Sequence, residues 1–90
     1  NATMIVYTPT LLPFSENPIR GDVLVRYSLA EAAEADFSVF DLSGRVVSCE
    51  SGYFPAGYNT LVLEELAAGI YFCRMTTGDF TSSRRFVVIE

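Results

Sequence analysis

The sequence predicts an all-β domain, an antiparallel sandwich of about seven short strands. Three observations carry that expectation. Apolar and polar residues alternate through several segments, which is the period of a half-buried strand. Turn residues recur at roughly the 8–12-residue spacing of a sandwich. No long helical periodicity competes with them. The chain has 90 residues, 50% hydrophobic and 13% aromatic. That is enough apolar material for one core and too little length for two domains.

The elements follow in order. Residues 3–8 (TMIVYT) are a β-branched and aromatic run, a candidate first strand. Pro9, Pro13 and Pro18 punctuate the next stretch. Proline denies a ladder hydrogen bond, so this stretch reads as an edge or connector. Residues 22–29 (DVLVRYSL) place Val23, Val25, Tyr27 and Leu29 on one face and Leu24, Arg26 and Ser28 on the other. Residues 30–35 (AEAAEA) have a helix-friendly composition. They fall far short of the roughly 12 residues an isolated helix needs, and read as a connection with room for one helical turn. Residues 36–41 (DFSVFD) resume the alternation, with Phe37 and Val39 opposite Ser38 and Phe40.

Residues 42–45 (LSGR) are the clearest turn, because Gly44 can take a positive φ without steric cost. Residues 45–49 (RVVSC) are its return strand. Pro55, Ala56 and Gly57 mark a second turn, with proline presetting φ and glycine closing it. Residues 60–63 (TLVL) read as a short strand. Residues 64–68 (EELAA) again look helical but are too short, and Gly69 ends them. Residues 70–76 (IYFCRMT) are strongly β, residues 77–79 make a hairpin turn, and residues 80–89 (FTSSRRFVVI) form the last strand.

Composition excludes several function classes. The net charge is −5, all six positive charges are Arg, and His is absent. A basic stripe for phosphate contacts is missing, which argues against nucleic-acid binding. Anionic membrane surfaces repel such a chain, and no apolar run approaches the roughly 20 residues of a membrane span. Without imidazole, Ser-His and Cys-His catalysis cannot be built and most zinc sites are excluded. The chain reads as non-enzymatic, with no cofactor and no metal. Cys49 and Cys73 are too few for a disulfide scaffold; either a pair or two small, partly buried thiols fits. The start at Asn1, with no Met, basic segment or apolar leader, reads as a piece from the end of something longer, without its own signal peptide.

Several blocks, in this order, resemble one known family. Asn17-Pro18 is similar to its early Asn-Pro element. Asp41-Leu42-Ser43-Gly44-Arg45 resembles its central D-x-x-G-R hairpin. Pro55-Ala56-Gly57 resembles its PAG turn, and Ala68-Gly69-Ile70-Tyr71 its SG-V-Y strand opening. Arg85-Phe86-Val87-Val88-Ile89 resembles its basic-then-apolar closing strand. The family is the type IX secretion system C-terminal sorting domain, or Por secretion tail, which shares an immunoglobulin-like architecture. The likeness covers roughly residues 17–90. Two departures stand out. The family's aromatic, Pro-rich YPNPF start reads Ser15-Glu16-Asn17-Pro18-Ile19 here, and its usual basic last residue is Glu90.

The resemblance implies an immunoglobulin-like sandwich over residues 17–90, with residues 1–16 a linker or first edge strand. It implies a tag at the C-terminus of a cargo protein from Bacteroidetes-type bacteria. A separate N-terminal signal takes the cargo to the periplasm, and the tag directs it across the outer membrane. The implied partners are the outer-membrane secretion machinery, a signal-removing peptidase and an N-terminal cargo domain. The implied product is secreted or bound at the cell surface, with no stable membrane insertion. Arg85, Phe86, Val87, Val88, Ile89 and Glu90 are the candidate recognition residues. Asn17, Pro18, Asp41, Gly44, Arg45, Gly57, Gly69 and Tyr71 are the family-motif residues. A physical rationale accompanies this: a final strand at a sheet edge offers unpaired N–H and C=O groups, so a partner can add a strand beside it.

Other signals compete. Arg20-Gly21-Asp22 spells a cell-attachment tripeptide, but Gly21 and Asp22 also make an ordinary turn before a strand. Tyr53, Phe54 and Tyr58 cluster around a turn and could stack on a sugar, or cap the end of a core. That leaves a second reading open, a non-catalytic accessory module that binds carbohydrate or acts as a spacer. Asn1-Ala2-Thr3 fits a glycosylation acceptor, which counts only in a eukaryotic secretory setting. Glu31, Glu34, Asp36 and Asp41 lack calcium-loop spacing and read as a solvated face. Glu64-Glu65 are adjacent carboxylates without a pocket.

Overall fold

The computed structural model describes residues 9–64 and 66–90. The candidate strand over residues 3–8, the acceptor at Asn1 and Glu65 lie outside them. Seven strands are described: β1 (Thr10–Leu11), β2 (Val23–Leu29), β3 (Ala33–Asp41), β4 (Val46–Phe54), β5 (Gly57–Leu63), β6 (Gly69–Thr77) and β7 (Phe80–Val88). They form two sheets, ordered β1-β2-β5 and β4-β3-β6-β7, with every strand pairing antiparallel. The expected all-β sandwich is what forms. Its order is consistent with an immunoglobulin-like sandwich in which the fourth strand joins the second sheet.

Alternation explains which faces meet. Val23, Val25, Tyr27 and Leu29 of β2 are buried, as are Ala35, Phe37 and Val39 of β3. Tyr71, Cys73 and Met75 of β6 and Phe86 and Val88 of β7 complete the opposite wall. The core holds two aromatic groups. Tyr27 lies 4.6 Å from Phe37, and the Phe54 ring meets both edge-on at 5.8 Å. Elsewhere Phe86 stacks on Tyr71 at 5.5 Å and receives Phe14 at 4.7 Å. Such aromatic contacts add about 0.5–1.5 kcal/mol each beyond burial.

The proline-punctuated stretch, read as an edge or connector, supplies the two-residue edge strand β1. Other boundaries differ from expectation. No helical turn forms over residues 30–35; instead β3 starts at Ala33, because Ala33 and Ala35 pair with Phe54 and Gly52. β4 runs on past Cys49 to Phe54 for the same reason. β5 opens at Gly57, three residues early, and pairs with Leu29 of β2. Among the described residues of 64–68, the helix-like composition yields no helix.

Candidate recognition site

The family-motif residues mostly build turns. The Asp41 carboxylate organises the β3–β4 hairpin. Its Oδ1 accepts hydrogen bonds from Ser43 Oγ at 2.6 Å, Ser43 N at 3.0 Å and Arg45 N at 3.0 Å. Its Oδ2 faces the Arg45 guanidinium at 3.2 Å. These bonds, led by the Ser43 hydroxyl, hold the Asp41 carboxyl below its ordinary value. Gly44 sits at φ 89°, where a side chain would be strained, and its N–H donates to Asp41 O at 2.9 Å. Gly57 at φ 94° turns the chain from one sheet to the other. Gly69 opens β6, and Tyr71 anchors that opening by donating its hydroxyl to Ala67 O at 2.6 Å.

β7 is one of the two outer strands of the four-stranded sheet. The candidate recognition residues divide by face. Phe86 and Val88 point into the core, at 0% and 4% exposure. Arg85 and Glu90 are exposed, and Val87 and Ile89 half-buried. The outward border of β7 is not uniform. At its far end Val87 N–H donates to Asn17 Oδ1 at 3.0 Å. Ile19 N–H donates to Val87 O at 2.7 Å, and Ile89 N–H to Ile19 O at 2.9 Å. Ile19 thus bridges Val88 in parallel and is itself buried. The Arg20 guanidinium donates to Glu90 O. Hydrogen bonds on this side fall on odd-numbered residues, so Thr81, Ser83 and Arg85 also turn their backbone groups outward. Among the described residues, no backbone partner reaches those three.

The first half of the chain closes this flank. Leu12 N–H donates to Arg26 O at 2.9 Å, extending β1, and the Arg26 guanidinium donates to Pro13 O at 2.8 Å. Arg84 Nε crosses between sheets to Leu11 O at 2.9 Å. Sequence reasoning marked Asn17 and Pro18 as motif residues. It missed Leu11, Phe14, Ile19 and Arg84, which brace the last strand. The available signal was an apolar residue directly after Asn-Pro.

The expected aromatic cluster does not assemble. Phe54 turns into the core, while Tyr53 and Tyr58 lie opposite Glu34 and Ser28 on the outer faces of different sheets. Gly21, at φ 78°, and Asp22 form the bend before β2, as the turn reading had it. Cys49 is exposed and Cys73 buried; both thiols are free. Strand β3 runs between them, and burial pushes the Cys73 thiol up to about 11. Among the described residues, no His, Cys, Asp and Glu cluster is placed to hold a metal ion, and no helix is long and apolar enough to cross a membrane.

A sandwich whose motif turns serve its frame, with one outer strand braced at one end by residues 17–19, fits one family in particular. The family model described as the secretion system C-terminal sorting domain matches residues 17–90. The chain belongs to that family. No curated protein matches the sequence. The sorting domain is a C-terminal signal for type IX secretion, recognised by the type IX machinery. It is not a catalytic domain, and it marks a protein exported to the medium or the cell surface.

Proposed function

We propose that β7 is the part of this sorting signal that the machinery reads. The observation that carries this is a stretch of its border that has no backbone partner among the described residues. Thr81, Ser83 and Arg85 present outward backbone groups on a sheet-edge strand, the geometry to which an extended partner adds. In this reading Arg85, Val87, Ile89 and Glu90 supply side-chain contacts, while Phe86 and Val88 fix the strand from inside. The motif residues at Asp41, Gly44, Arg45, Gly57, Gly69 and Tyr71 hold the frame that presents it.

The finer assignment follows. Residues 17–90 form the sorting unit, and residues 1–16 lead into it from an N-terminal cargo. The cargo passes through the periplasm, and a peptidase removes the signal after transit. The chain performs no catalysis and needs no cofactor. The divergence of Tyr53 and Tyr58 gives the carbohydrate-binding alternative no platform.

The test is a fusion of residues 1–90 to a periplasmic reporter in a type IX-competent strain. The reporter is expected in the medium or on the surface, and retention in the periplasm ends the reading. Ser83→Pro, which blocks strand addition at the bare border, is expected to cut export several-fold while the domain stays folded.

A further inference from the structure

We propose that Asn17-Pro18-Ile19 is a placeholder strand, which an extended segment of the receiving partner displaces to dock beside β7. This rests on the reading of β7 as the recognised strand and goes further, because it names what must leave and what takes its place.

The border already holds a ligand, and that ligand is part of this chain. Ile19 makes a two-bond parallel bridge to β7, and the Asn17 amide oxygen imitates a third backbone carbonyl by accepting from Val87 N–H. The side chain at Ile19 is 4% exposed, so the border includes a socket for one apolar side chain beside Val88. This shows the chemistry the site takes: an extended backbone with an apolar residue in register with Val88.

The placeholder is short for a physical reason. Pro18 has no N–H, and Pro13 prevents the preceding residues from continuing as a ladder. The intervening chain leaves the border, and Phe14 packs on Phe86 instead. Among the described residues, the outward groups at Thr81, Ser83 and Arg85 therefore have no backbone partner. A proline-free partner strand parallel to β7 would take over the three bonds at Val87 and Ile89. It would then continue along these groups, gaining bonds the placeholder cannot make. Exposed Arg85 has no ion-pair partner among the described residues, so a carboxylate beside it in the partner completes the fit.

A competitor and a contact predict opposite signs. Asn17→Ala removes the acceptor at Val87 N–H, and Asn17→Asp keeps it. In residues 1–90, Asn17→Ala should speed amide exchange at Val87 and Ile89 about two- to tenfold, the effect of one hydrogen bond, and leave Tyr71 and Cys73 unchanged. Adding a blocked synthetic peptide, Ser-Glu-Asn-Pro-Ile-Arg, should restore protection at Val87 and Ile89. The same peptide with Asp in place of Ile should not. In the reporter fusion, Asn17→Ala should raise the initial export rate by a similar factor, and Asn17→Asp should leave it at the wild-type level. Unchanged exchange, no protection by the peptide, or lower export from a folded Asn17→Ala domain overturns the placeholder. Failure of the wild-type fusion to leave the cell overturns the sorting role of β7 instead, and the exchange arms still decide whether the strand can be replaced.

Discussion

The four-stranded sheet has two outer strands, and they are finished in opposite ways. The inward positions of β7 are Phe80, Ser82, Arg84, Phe86 and Val88, of which the last two are buried and the rest half-buried. The inward positions of β4 paired with β3 are Ser48, Glu50, Gly52 and Phe54, and all but Phe54 are polar or lack a side chain. The facing sheet explains the difference. It has three strands to the four of its partner, so β4 overhangs while β7 is roofed by β1 and residues 12–19. Edges must be blunted against stray pairing. β4 does so with a bulge beside Val39 and Phe40 and with exposed Glu50. β7 carries a strap from its own chain at one end and, among the described residues, has no backbone partner at the other. On the proposed reading, a permanent device sits on the border that should never pair, and a removable one on the border that a partner joins.

The comparison breaks most readily at the core. Phe86→Ala should lower stability by about 3–5 kcal/mol, since it empties a site lined by Tyr71 and Phe14. Tyr53→Ala on β4, where the side chain is 71% exposed, should stay within about 0.5 kcal/mol. Urea unfolding measures both. Equal losses would mean that the two borders are equally embedded.

The strap gives the next effect. Ile19→Ala should cost about 2–3 kcal/mol, low in the range for a buried Ile because a short segment can relax around the cavity. Val46→Ala, at 52% exposure on β4, should cost about 0.5 kcal/mol or less. A negligible loss at Ile19 would make the strap an ornament on an already complete fold.

These regions were unequally legible in the sequence. Val23 to Leu29 and Phe37 to Val39 announced their faces because a wall of the core imposes period two on both. Gly44 and Gly57 announced turns because only their positive φ values explain glycine there. The second half of β4 stayed hidden, since Glu50-Ser51-Gly52 has the composition of a loop. It is a strand through pairing with Phe37, Asp36 and Ala35 of β3, which overrides local preference. The Ala-rich start of β3 misled for the same reason. The strap was least visible: Asn17 and Val87 stand 70 residues apart, and no local pattern encodes a contact that tertiary closure creates.

The hairpin joining β3 to β4 gives a smaller, pH-dependent effect. Asp41 has its carboxyl held below the ordinary value, so it contributes stability above the unfolded pKa and loses it as pH falls through the folded one. Asp41→Asn should therefore be less stable than wild type near neutrality, and the gap should close below about pH 4. Urea midpoints across acid pH read this directly. A gap that stays constant with pH would assign the turn's stability to shape and not to charge.

The smallest effect leaves stability untouched and reads accessibility alone. Cys49 lies exposed on overhanging β4, and Cys73 lies fully buried on β6 beneath the roofed side. Burial raises the Cys73 thiol from 9.0 to about 11, which makes its thiolate about a hundredfold scarcer than at the ordinary value. Alkylation needs the thiolate and a path to it, and Cys73 lacks both. Native protein treated with iodoacetamide near pH 8 should gain one label rapidly, at Cys49, and a second only on unfolding. Peptide mass mapping locates each label. Comparable rates at the two positions would show β6 opening as freely as β4 lies open, and the contrast between a roofed border and an overhanging one would then describe a drawing of the fold and not its behaviour in solution.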